Sequence, residues 1–331
     1  MPRILIRCDI GGIHGLGHAT RCKALAQALA ARGAEVAFVT ESVALTAFVA
    51  PCACYVGSPY TEALFLMDAD VVIFDHKTFI GEWAYREMNK GTHVVRIDVI
   101  SEPGTADLVI LPNAHTPYPT IARLEADFPG HVLHGWDYIM LPEDVTEGVP
   151  LPYDEREPQI VLCAGGSDPD NVLQQMYDWT ADLEIDAQLC FLIGAHAAYD
   201  RLAMQRVSRM NVPLIAPFTQ AHLAEAALVV TLFGQTVYEA LWYQTPCVVL
   251  ARNEGDERNA FWLQQQCVVT TLRQAAIYAA GCIRTYANRP EQFCRAIEMA
   301  WTSRSQSAAL TAEKLDGHGV ARVADAILVL V

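Results

Sequence analysis

The chain alternates short apolar runs with amphipathic segments, and this alternation is the strongest constraint on its fold. In the first 111 residues, runs rich in valine, isoleucine and leucine occupy 3–7, 35–39, 71–75, 93–97 and 108–111. Helices are predicted between them at 18–32, 61–67 and 81–90. Apolar strands separated by amphipathic helices are typical of a parallel sheet covered on both faces. The pattern therefore predicts an α/β domain that binds its ligand at the carboxyl ends of the strands.

A second α/β pattern occupies the other half of the chain. The segment 142–158 is rich in proline and acidic residues and shows no apolar period, so it is interpreted as a linker. We predict a first domain over 1–147, a linker over 148–158, a second domain over 159–302 and a helical C-terminal segment over 303–331. Helices are also predicted for the residues that follow 271. Each domain opens with a strand and a glycine-rich loop, so the two halves share one plan.

The first strand ends in a glycine-rich loop that leads directly into a helix. Gly15 and Gly17 precede His18, and Arg21 follows one turn into the helix. Glycines let backbone amides come close to a ligand, and a helix N-terminus favours negative charge. A histidine titrates near neutral pH, so His18 is the candidate general base.

Acidic side chains end two further strands of the first half. Asp75 closes the run VVIFD and is followed by His76, and Asp98 closes the run VVRID. Because the carboxyl ends of parallel strands share one edge of the sheet, Asp75 and Asp98 are candidates to orient His18 or to share its proton transfer. The remaining histidines, His115 among them, have no partners at metal-ligand spacing, so solvent or structural roles are predicted for most of them.

Two glycine loops in the second half are candidate phosphate sites. The segment GGSDPDN follows a strand and opens a helix, and FGQTVYEA repeats that arrangement. A diphosphate could bind the amides of such a loop, and a glutamate one turn into the helix could accept hydrogen bonds from a ribose diol. An ordinary capped turn and a solvated glutamate are the alternatives. The candidate ligand-binding residues of this half are Gly165, Gly166, Ser167, Phe233, Gly234, Gln235, Thr236, Glu239 and Asn253.

The charge of the chain argues against nucleic acid as the main ligand. Its 331 residues include 23 basic and 38 acidic side chains, a net charge of −15, whereas nucleic-acid-binding surfaces are basic. The sequence has no GxxxxGK[ST] pattern, and GLGHAT does not fit GxGxxG, so neither a P-loop ATPase nor an NAD enzyme is expected. With no metal-ligand spacing in the sequence, we expect no metal and no other cofactor.

The sequence also bears on location and assembly. It contains no run of about 18 apolar residues that would predict a membrane span, and its first residues lack the pattern of a signal peptide. The ten cysteines form no CxxC pair, and several lie in apolar runs, as buried reduced thiols do. We therefore expect a cytoplasmic enzyme that does not insert stably into a membrane, and we expect a monomer.

In order along the chain, these motifs resemble the UDP-sugar hydrolases of pseudaminic acid biosynthesis, which act on UDP-2,4-diacetamido-2,4,6-trideoxy-β-L-altropyranose. The likeness covers nearly the whole chain and runs through IRCDIGGIHGLGHATRCKALAQAL, VVIFDH, RIDVISE, ADLVILPNA, VLHGWDYIML, IVLCAGGSDPDN, TLFGQTVYEA and LDGHGVARV. The second half is also similar to the peptidoglycan N-acetylglucosaminyltransferase, a member of the GT-B superfamily. The resemblance implies an α/β fold of the GT-B type, in which two Rossmann-like domains with parallel sheets face a cleft.

The resemblance also implies a substrate and roles for individual residues. UDP would bind the second domain through its two glycine loops, with Glu239 on the ribose, and an amino-deoxy sugar would bind the first domain. His18 matches the catalytic histidine of the family, which directs water to the anomeric carbon in place of UDP. The sugar-binding residues that it implies are Gly15, Gly17, Arg21, His76, Asn113 and Tyr138, next to Asp75 and Asp98.

Alternatives to hydrolysis remain open. The chain departs from the family pattern at Val99, Pro142 and Glu254, which surround the substrate in the family. A glycosyltransferase of the same architecture, in which an acceptor hydroxyl replaces water, is therefore the second hypothesis. A non-catalytic protein that binds a nucleotide sugar is the third hypothesis.

Overall fold

The structure is a computed structural model that describes residues 1–10, 15–57, 69–75, 91–98, 106–128, 130–197, 212–267, 277–284, 290–308 and 315–331. The helices predicted at 61–67 and 81–90, and the candidate residue His76, lie outside these residues. The chain divides into two compact units, the first made of Met1–Pro142 with Asp316–Val331 and the second of Glu143–Leu315.

A seven-stranded parallel sheet forms the centre of the first unit. Its strands are β1 (Arg3–Cys8), β2 (Glu35–Thr40), β3 (Ala53–Val56), β4 (Val71–Asp75), β5 (His93–Ile97), β6 (Leu108–Leu111) and β7 (His131–His134). They lie in the order β3-β2-β1-β4-β5-β6-β7. The five strands predicted from apolar runs are confirmed. The edge strands β3 and β7 were not predicted. Each has only four residues, and no residue of either strand is buried.

Helices cover this sheet, and the helix predicted at 18–32 is confirmed, whereas the helices at Val43–Phe48 and Tyr118–Asp127 were not predicted. They are α1 (Gly17–Ala31), α2 (Val43–Phe48) and α3 (Tyr118–Asp127), with a 3₁₀ turn at Trp136–Tyr138 and a C-terminal helix at Gly319–Leu328. The C-terminal helix packs against α1, and Arg32 Nε donates to Asp325 Oδ1 at 2.6 Å. The residues that follow 315 therefore complete the first unit.

The order of the strands reverses between β1 and β4. These strands are neighbours, and their last register pair joins Cys8 to Asp75. In an open α/β sheet the ligand crevice lies at the carboxyl ends of the strands where the order reverses. The residues that follow β1 and β4 are therefore the place to look for a site in this unit.

A six-stranded parallel sheet forms the second unit and reverses in the same way. Its strands are β8 (Gln159–Cys163), β9 (Gln188–Ile193), β10 (Leu214–Pro217), β11 (Leu228–Leu232), β12 (Cys247–Ala251) and β13 (Ile277–Arg284), in the order β10-β9-β8-β11-β12-β13. The reversal lies between β8 and β11, where Cys163 pairs with Thr231. The two glycine loops singled out in the sequence directly follow these two strands.

The helices of the second unit include one departure from the prediction. They are α4 (Glu143–Thr146), α5 (Val172–Trp179), α6 (Gln220–Glu225), α7 (Gln235–Trp242), α8 (Glu254–Cys267) and α9 (Pro290–Ala308), with a 3₁₀ turn at Tyr153–Glu155. Helix was predicted beyond residue 271, but Ile277–Arg284 is a strand that pairs with β12. Propensity alone gave the wrong result here, because pairing with a neighbouring strand determines the backbone of this segment.

The segment interpreted as a linker contains α4 and the 3₁₀ turn and is attached to the second unit. Tyr153 donates its hydroxyl hydrogen to the carbonyl oxygen of Ala227. The buried guanidinium of Arg156 donates to the carbonyl oxygens of Ala226 and Tyr243 and to the hydroxyl of Thr245.

Among the described residues, no helix is both long and apolar enough to cross a membrane.

Candidate active site

Asp75 is the centre of a polar cluster in the first unit. It is the last residue of β4, and only 1% of its surface is exposed. Its Oδ1 lies 2.5 Å from His18 Nδ1 and 2.6 Å from Arg21 Nη2, and its Oδ2 lies 2.6 Å from Arg21 Nε. The Cys22 thiol also donates to Oδ2, at 3.2 Å. One buried carboxylate thus holds three side chains from the first turns of α1.

The contacts of Asp75 fix the tautomer of His18. A carboxylate only accepts hydrogen bonds, so the short contact from His18 Nδ1 requires a hydrogen on that nitrogen. Arg21 Nη2 lies 3.0 Å from the same nitrogen, which is already a donor to Asp75 and cannot also accept from the guanidinium. The neutral imidazole therefore carries its lone pair on Nε2, which is the arrangement that a general base requires.

The charges in the cluster keep Asp75 ionised. Burial alone would raise the pKa of Asp75, but the charge of Arg21 and the hydrogen bonds from Arg21 and His18 outweigh burial and hold the pKa far below its usual range. Burial likewise disfavours the guanidinium of Arg21, and the charge of Asp75 more than offsets this and raises the pKa of Arg21. The cluster therefore contains a fixed ion pair with a histidine attached to its carboxylate.

A second carboxylate, Asp98, extends the cluster. It follows β5 in the left-handed region at φ 63°, which is uncommon for a residue other than glycine, and its amide donates to Ile110 O at 2.8 Å. Its Oδ2 lies 3.5 Å from Arg21 Nη2, and its Oδ1 accepts from Asn113 Nδ2 at 3.1 Å. About a third of the Asp98 side chain is exposed. Asp98 therefore presents a carboxylate to solvent beside the buried ion pair.

The loop after β6 adds His115, one of the histidines for most of which a solvent or structural role was predicted. Asn113 Oδ1 accepts from both the amide and the hydroxyl of Thr116, at 3.1 and 2.7 Å, and this turn encloses His115. Burial lowers the pKa of His115 to about 4, although the nearby charge of Asp98 opposes this shift. His115 is thus a neutral imidazole near Asp98 at pH 7. His115 follows β6, whose carboxyl end lies at the same edge of the sheet as Asp75 and Asp98. This position in the sequence could have marked it as a candidate.

Other candidates of the first unit have different surroundings. Gly17 is the first residue of α1, and Gly15 takes the left-handed conformation at φ 65° just before it. This conformation suits glycine and sets the approach of the chain to His18. Tyr138 packs against the apolar cluster that includes Met140 and Val323. Hydrogen bonds bring His18, Arg21, Asp75, Asp98 and Asn113 together, whereas no described bond links Tyr138 to them.

In the second unit, the loop after β8 is a capped turn. Gly165, Asp168 and Asn171 all have positive φ angles. Gly165, Gly166 and Ser167 begin the loop and are half-buried. The Asp168 carboxylate accepts from the amides of Val172 and Leu173, at 2.8 and 2.9 Å. An anionic side chain therefore already occupies the first amides of α5, which disfavours a phosphate at that helix end.

The loop after β11 offers a different helix start. Phe233, Gly234, Gln235 and Thr236 are half-buried, and the N-cap residue of α7 is Gly234, which has no side chain that could cap the helix. A helix N-terminus whose N-cap residue offers no capping side chain favours an anionic ligand. Of the two loops at the strand reversal of this unit, the one after β11 is therefore better suited to a diphosphate.

Glu239 lies one turn into α7 and is buried, with 5% of its surface exposed. Burial raises the pKa of Glu239 to about 7, in part opposed by a hydrogen bond from Gln220 and reinforced by the charge of Asp144. The alternative of a solvated helix glutamate is therefore wrong. A carboxylate one turn behind a glycine loop can accept hydrogen bonds from a ribose diol.

Asn253 acts as a helix cap. It directly precedes α8, and its Oδ1 accepts from the amide of Asp256 at 3.0 Å. The Asp256 carboxylate in turn lies 2.9 Å from Arg252 Nε. Asn253 is exposed and follows β12, so it stands at the same carboxyl edge as the loop after β11.

Replacing Glu239 with glutamine is expected to change how stability depends on pH. Because the pKa of Glu239 is about 7 in the folded protein and usually 4.5, the folded state binds the proton more tightly. Its stabilising contribution is therefore full below pH 4.5 and is lost as the pH rises through 7, by at most about 3 kcal/mol. Urea unfolding of the wild type and of Glu239→Gln between pH 5 and 8 measures the difference. A difference that stays constant with pH would contradict the assignment.

Comparisons with known proteins identify the fold. No protein-family model and no curated protein sequence matches the chain. The calicheamicin glycosyltransferase CalG4 is a similar solved structure, with 15% identity, a TM-score of 0.63 and coverage of 99% of this chain and 98% of that one. MurG of Acinetobacter baumannii shares 14% identity at a TM-score of 0.62, covering 98% and 99%.

A UDP-bound structure is also among the similar proteins. The complex of Staphylococcus aureus MnaA with UDP shares 13% identity with this chain at a TM-score of 0.64, covering 100% of this chain and 98% of that one. Identities this low establish the fold alone. The chain therefore has the GT-B fold of two parallel-sheet α/β domains, as the sequence resemblance implied.

Proposed function

We propose that the protein is a glycosyltransferase that moves the sugar of a UDP-sugar to a hydroxyl oxygen activated by His18. The contact between His18 and Asp75 carries this proposal, because it leaves His18 Nε2 as a base at the strand reversal of the first unit. The GT-B fold supports the general class, since two of the similar structures are named as the calicheamicin glycosyltransferase and the glycotransferase of kitacinnamycin.

In the reaction, His18 Nε2 removes the proton of the attacking hydroxyl. The new bond forms between that oxygen and the anomeric carbon, while the bond from this carbon to the phosphate oxygen breaks and UDP leaves with the electron pair. Asp75 stabilises the imidazolium that forms, and Arg21 keeps Asp75 ionised before the proton arrives. The proton then leaves His18 to solvent.

We assign the sugar to the polar edge around Asp98. Asp98, Asn113 and His115 provide an anionic acceptor, an amide and a neutral imidazole, and these groups hydrogen-bond sugar hydroxyl or acylamino groups. Gly15 and Gly17 let the backbone come close to the same sugar. His76 and Tyr138 stay proposed contacts from the sequence resemblance.

We assign UDP to the second unit, with the diphosphate on the loop Phe233–Thr236 and the ribose on Glu239. The helix dipole of α7 and backbone amides would stabilise the charge that develops on the leaving diphosphate, so a metal ion is not required by the proposal. Gly165, Gly166 and Ser167 line the neighbouring loop, and Asn253 stands at the same sheet edge. The capping role of Asp168 favours the loop after β11 for the phosphates.

Hydrolysis is the second candidate function, with water in place of the acceptor hydroxyl. The ordered motifs shared with the UDP-sugar hydrolases of pseudaminic acid biosynthesis favour it, and the same His18–Asp75 pair would activate the water. The two reactions differ only in the oxygen that His18 deprotonates. An amino-deoxy sugar is proposed for either reaction from the same resemblance.

Release of UDP with and without acceptors is expected to separate these functions. We expect phosphorus NMR to show rapid release of UDP from a set of UDP-sugars only when an acceptor hydroxyl compound is added. Equally rapid release in buffer alone would establish the hydrolase and overturn transfer. Binding of UDP-sugars with no release in either condition would contradict both functions and favour a non-catalytic binding protein.

A further inference from the structure

Two buried polar atoms of the second unit have no hydrogen-bond partner among the residues that the structure describes. They are Gln220 Oε1 at the start of α6 and Trp242 Nε1 at the end of α7. A buried polar group without a partner is destabilising, so such groups are rare in folded proteins and mark places where a ligand or water completes the bonding. The first atom is an acceptor and the second is a donor.

The first atom belongs to a side chain in contact with Glu239, and the second lies one turn further along the helix that carries Glu239. The Gln220 side chain hydrogen-bonds the Glu239 carboxylate, and since a carboxylate only accepts, it is the amide NH₂ of Gln220 that donates. Trp242 follows Glu239 by three residues on α7, which places both side chains on one side of the helix. Helix α6 packs against α7, so the three residues lie on two helices in contact.

The chemistry of these groups selects hydroxyl ligands. Glu239 and the Gln220 carbonyl oxygen accept hydrogen bonds, and the Trp242 indole donates one. A phosphate or a carboxylate would be repelled by the buried carboxylate of Glu239. An ammonium group could not accept a hydrogen bond from the Trp242 indole. A hydroxyl both donates and accepts, and two adjacent acceptors match the two hydroxyls of a ribose.

We propose that Gln220 is a specificity residue that reads the ribose of the bound nucleotide together with Glu239. One ribose hydroxyl donates to the Glu239 carboxylate, which can accept this bond in addition to the bond from the Gln220 amide. The Gln220 oxygen accepts the hydrogen of the other hydroxyl, while Trp242 Nε1 donates to one of the two ribose oxygens. This inference rests on the proposed binding of UDP to the second unit.

Calorimetry with UDP, 2′-deoxy-UDP and 3′-deoxy-UDP tests the inference. The wild type is expected to bind each deoxy compound about ten-fold more weakly than UDP. Each compound lacks one ribose hydroxyl, so one acceptor of the protein, Glu239 or the Gln220 oxygen, has no hydrogen-bond donor. Gln220→Met is expected to bind UDP about ten-fold more weakly and to lose its preference for UDP over one of the two deoxy compounds. It should keep the other preference, which depends on Glu239.

The matched control is Gln174→Met, since Gln174 is a half-buried glutamine that bonds the exposed Asp178, and its UDP affinity should equal that of the wild type. A Gln220→Met protein that keeps both preferences would overturn the inference while UDP binding itself stands. Failure of UDP to bind the wild type would instead overturn the proposed function. Trp242→Phe, which keeps an aromatic ring, is a second variant and should lose affinity for UDP without unfolding.

Discussion

The variant His18→Ala is expected to lose nearly all release of UDP from the nucleotide sugar in the presence of an acceptor. Positioned general bases contribute about 10²–10⁴-fold to a rate, so kcat should fall by that factor. The KM for the nucleotide sugar should change little, because the proposal assigns UDP to the second unit. Steady-state kinetics that follow the released UDP by phosphorus NMR measure both parameters.

The control for His18→Ala is His131→Ala, which removes an exposed histidine at the start of β7. This variant should have the kcat of the wild type. Added imidazole should restore part of the lost rate to His18→Ala, since the missing group is a base and not a scaffold. A His18→Ala protein with wild-type kcat would contradict the proposed role of the histidine.

The two units place different chemical groups at the same position of their sheets. In each sheet the order of the strands reverses between two neighbours, β1 with β4 and β8 with β11, and the polar candidates follow these strands. The first unit places a base and an ion pair there. The second unit places a glycine loop and a buried glutamate there. The first set suits proton transfer, and the second suits an anionic nucleotide.

Most of the first sheet could be predicted because its strands are continuous apolar runs. Central strands of a parallel sheet are buried on both faces, so Val71–Asp75 and Leu108–Leu111 are recognisable without any alignment. The edge strands Ala53–Val56 and His131–His134 lack that signal. The strand Ile277–Arg284 was mistaken for helix, since only its pairing with β12 specifies it.

The polar cluster could be predicted only in part. His18 was recognised from its glycines, and the spacing of Arg21 and Cys22, three and four residues after it, indicates one helix face. The contact of all three with Asp75 joins residues more than fifty positions apart, which no local pattern contains. His115 lies in a loop without period, so its role depends on where the strand before it ends.

The variant Asp75→Asn is expected to lose both stability and activity. It leaves the buried charge of Arg21 without its bidentate partner, and removal of one member of a buried ion pair costs about 3–5 kcal/mol. It also allows the amide to donate to His18 Nδ1, which favours the wrong tautomer of the base. Urea unfolding and kcat measure the two losses, and the exposed Asp127→Asn is the matched control.

A second substitution separates the two roles of Asp75. The double variant Asp75→Asn/Arg21→Met removes both charges, so it should be more stable than Asp75→Asn alone while staying inactive. A double variant less stable than either single variant would contradict the ion-pair argument. Because the pKa of Asp75 lies far below its usual value of 3.8, the advantage of the wild type should persist at every pH above 3.8. It should shrink only as the pH falls towards the lowered pKa of the folded state.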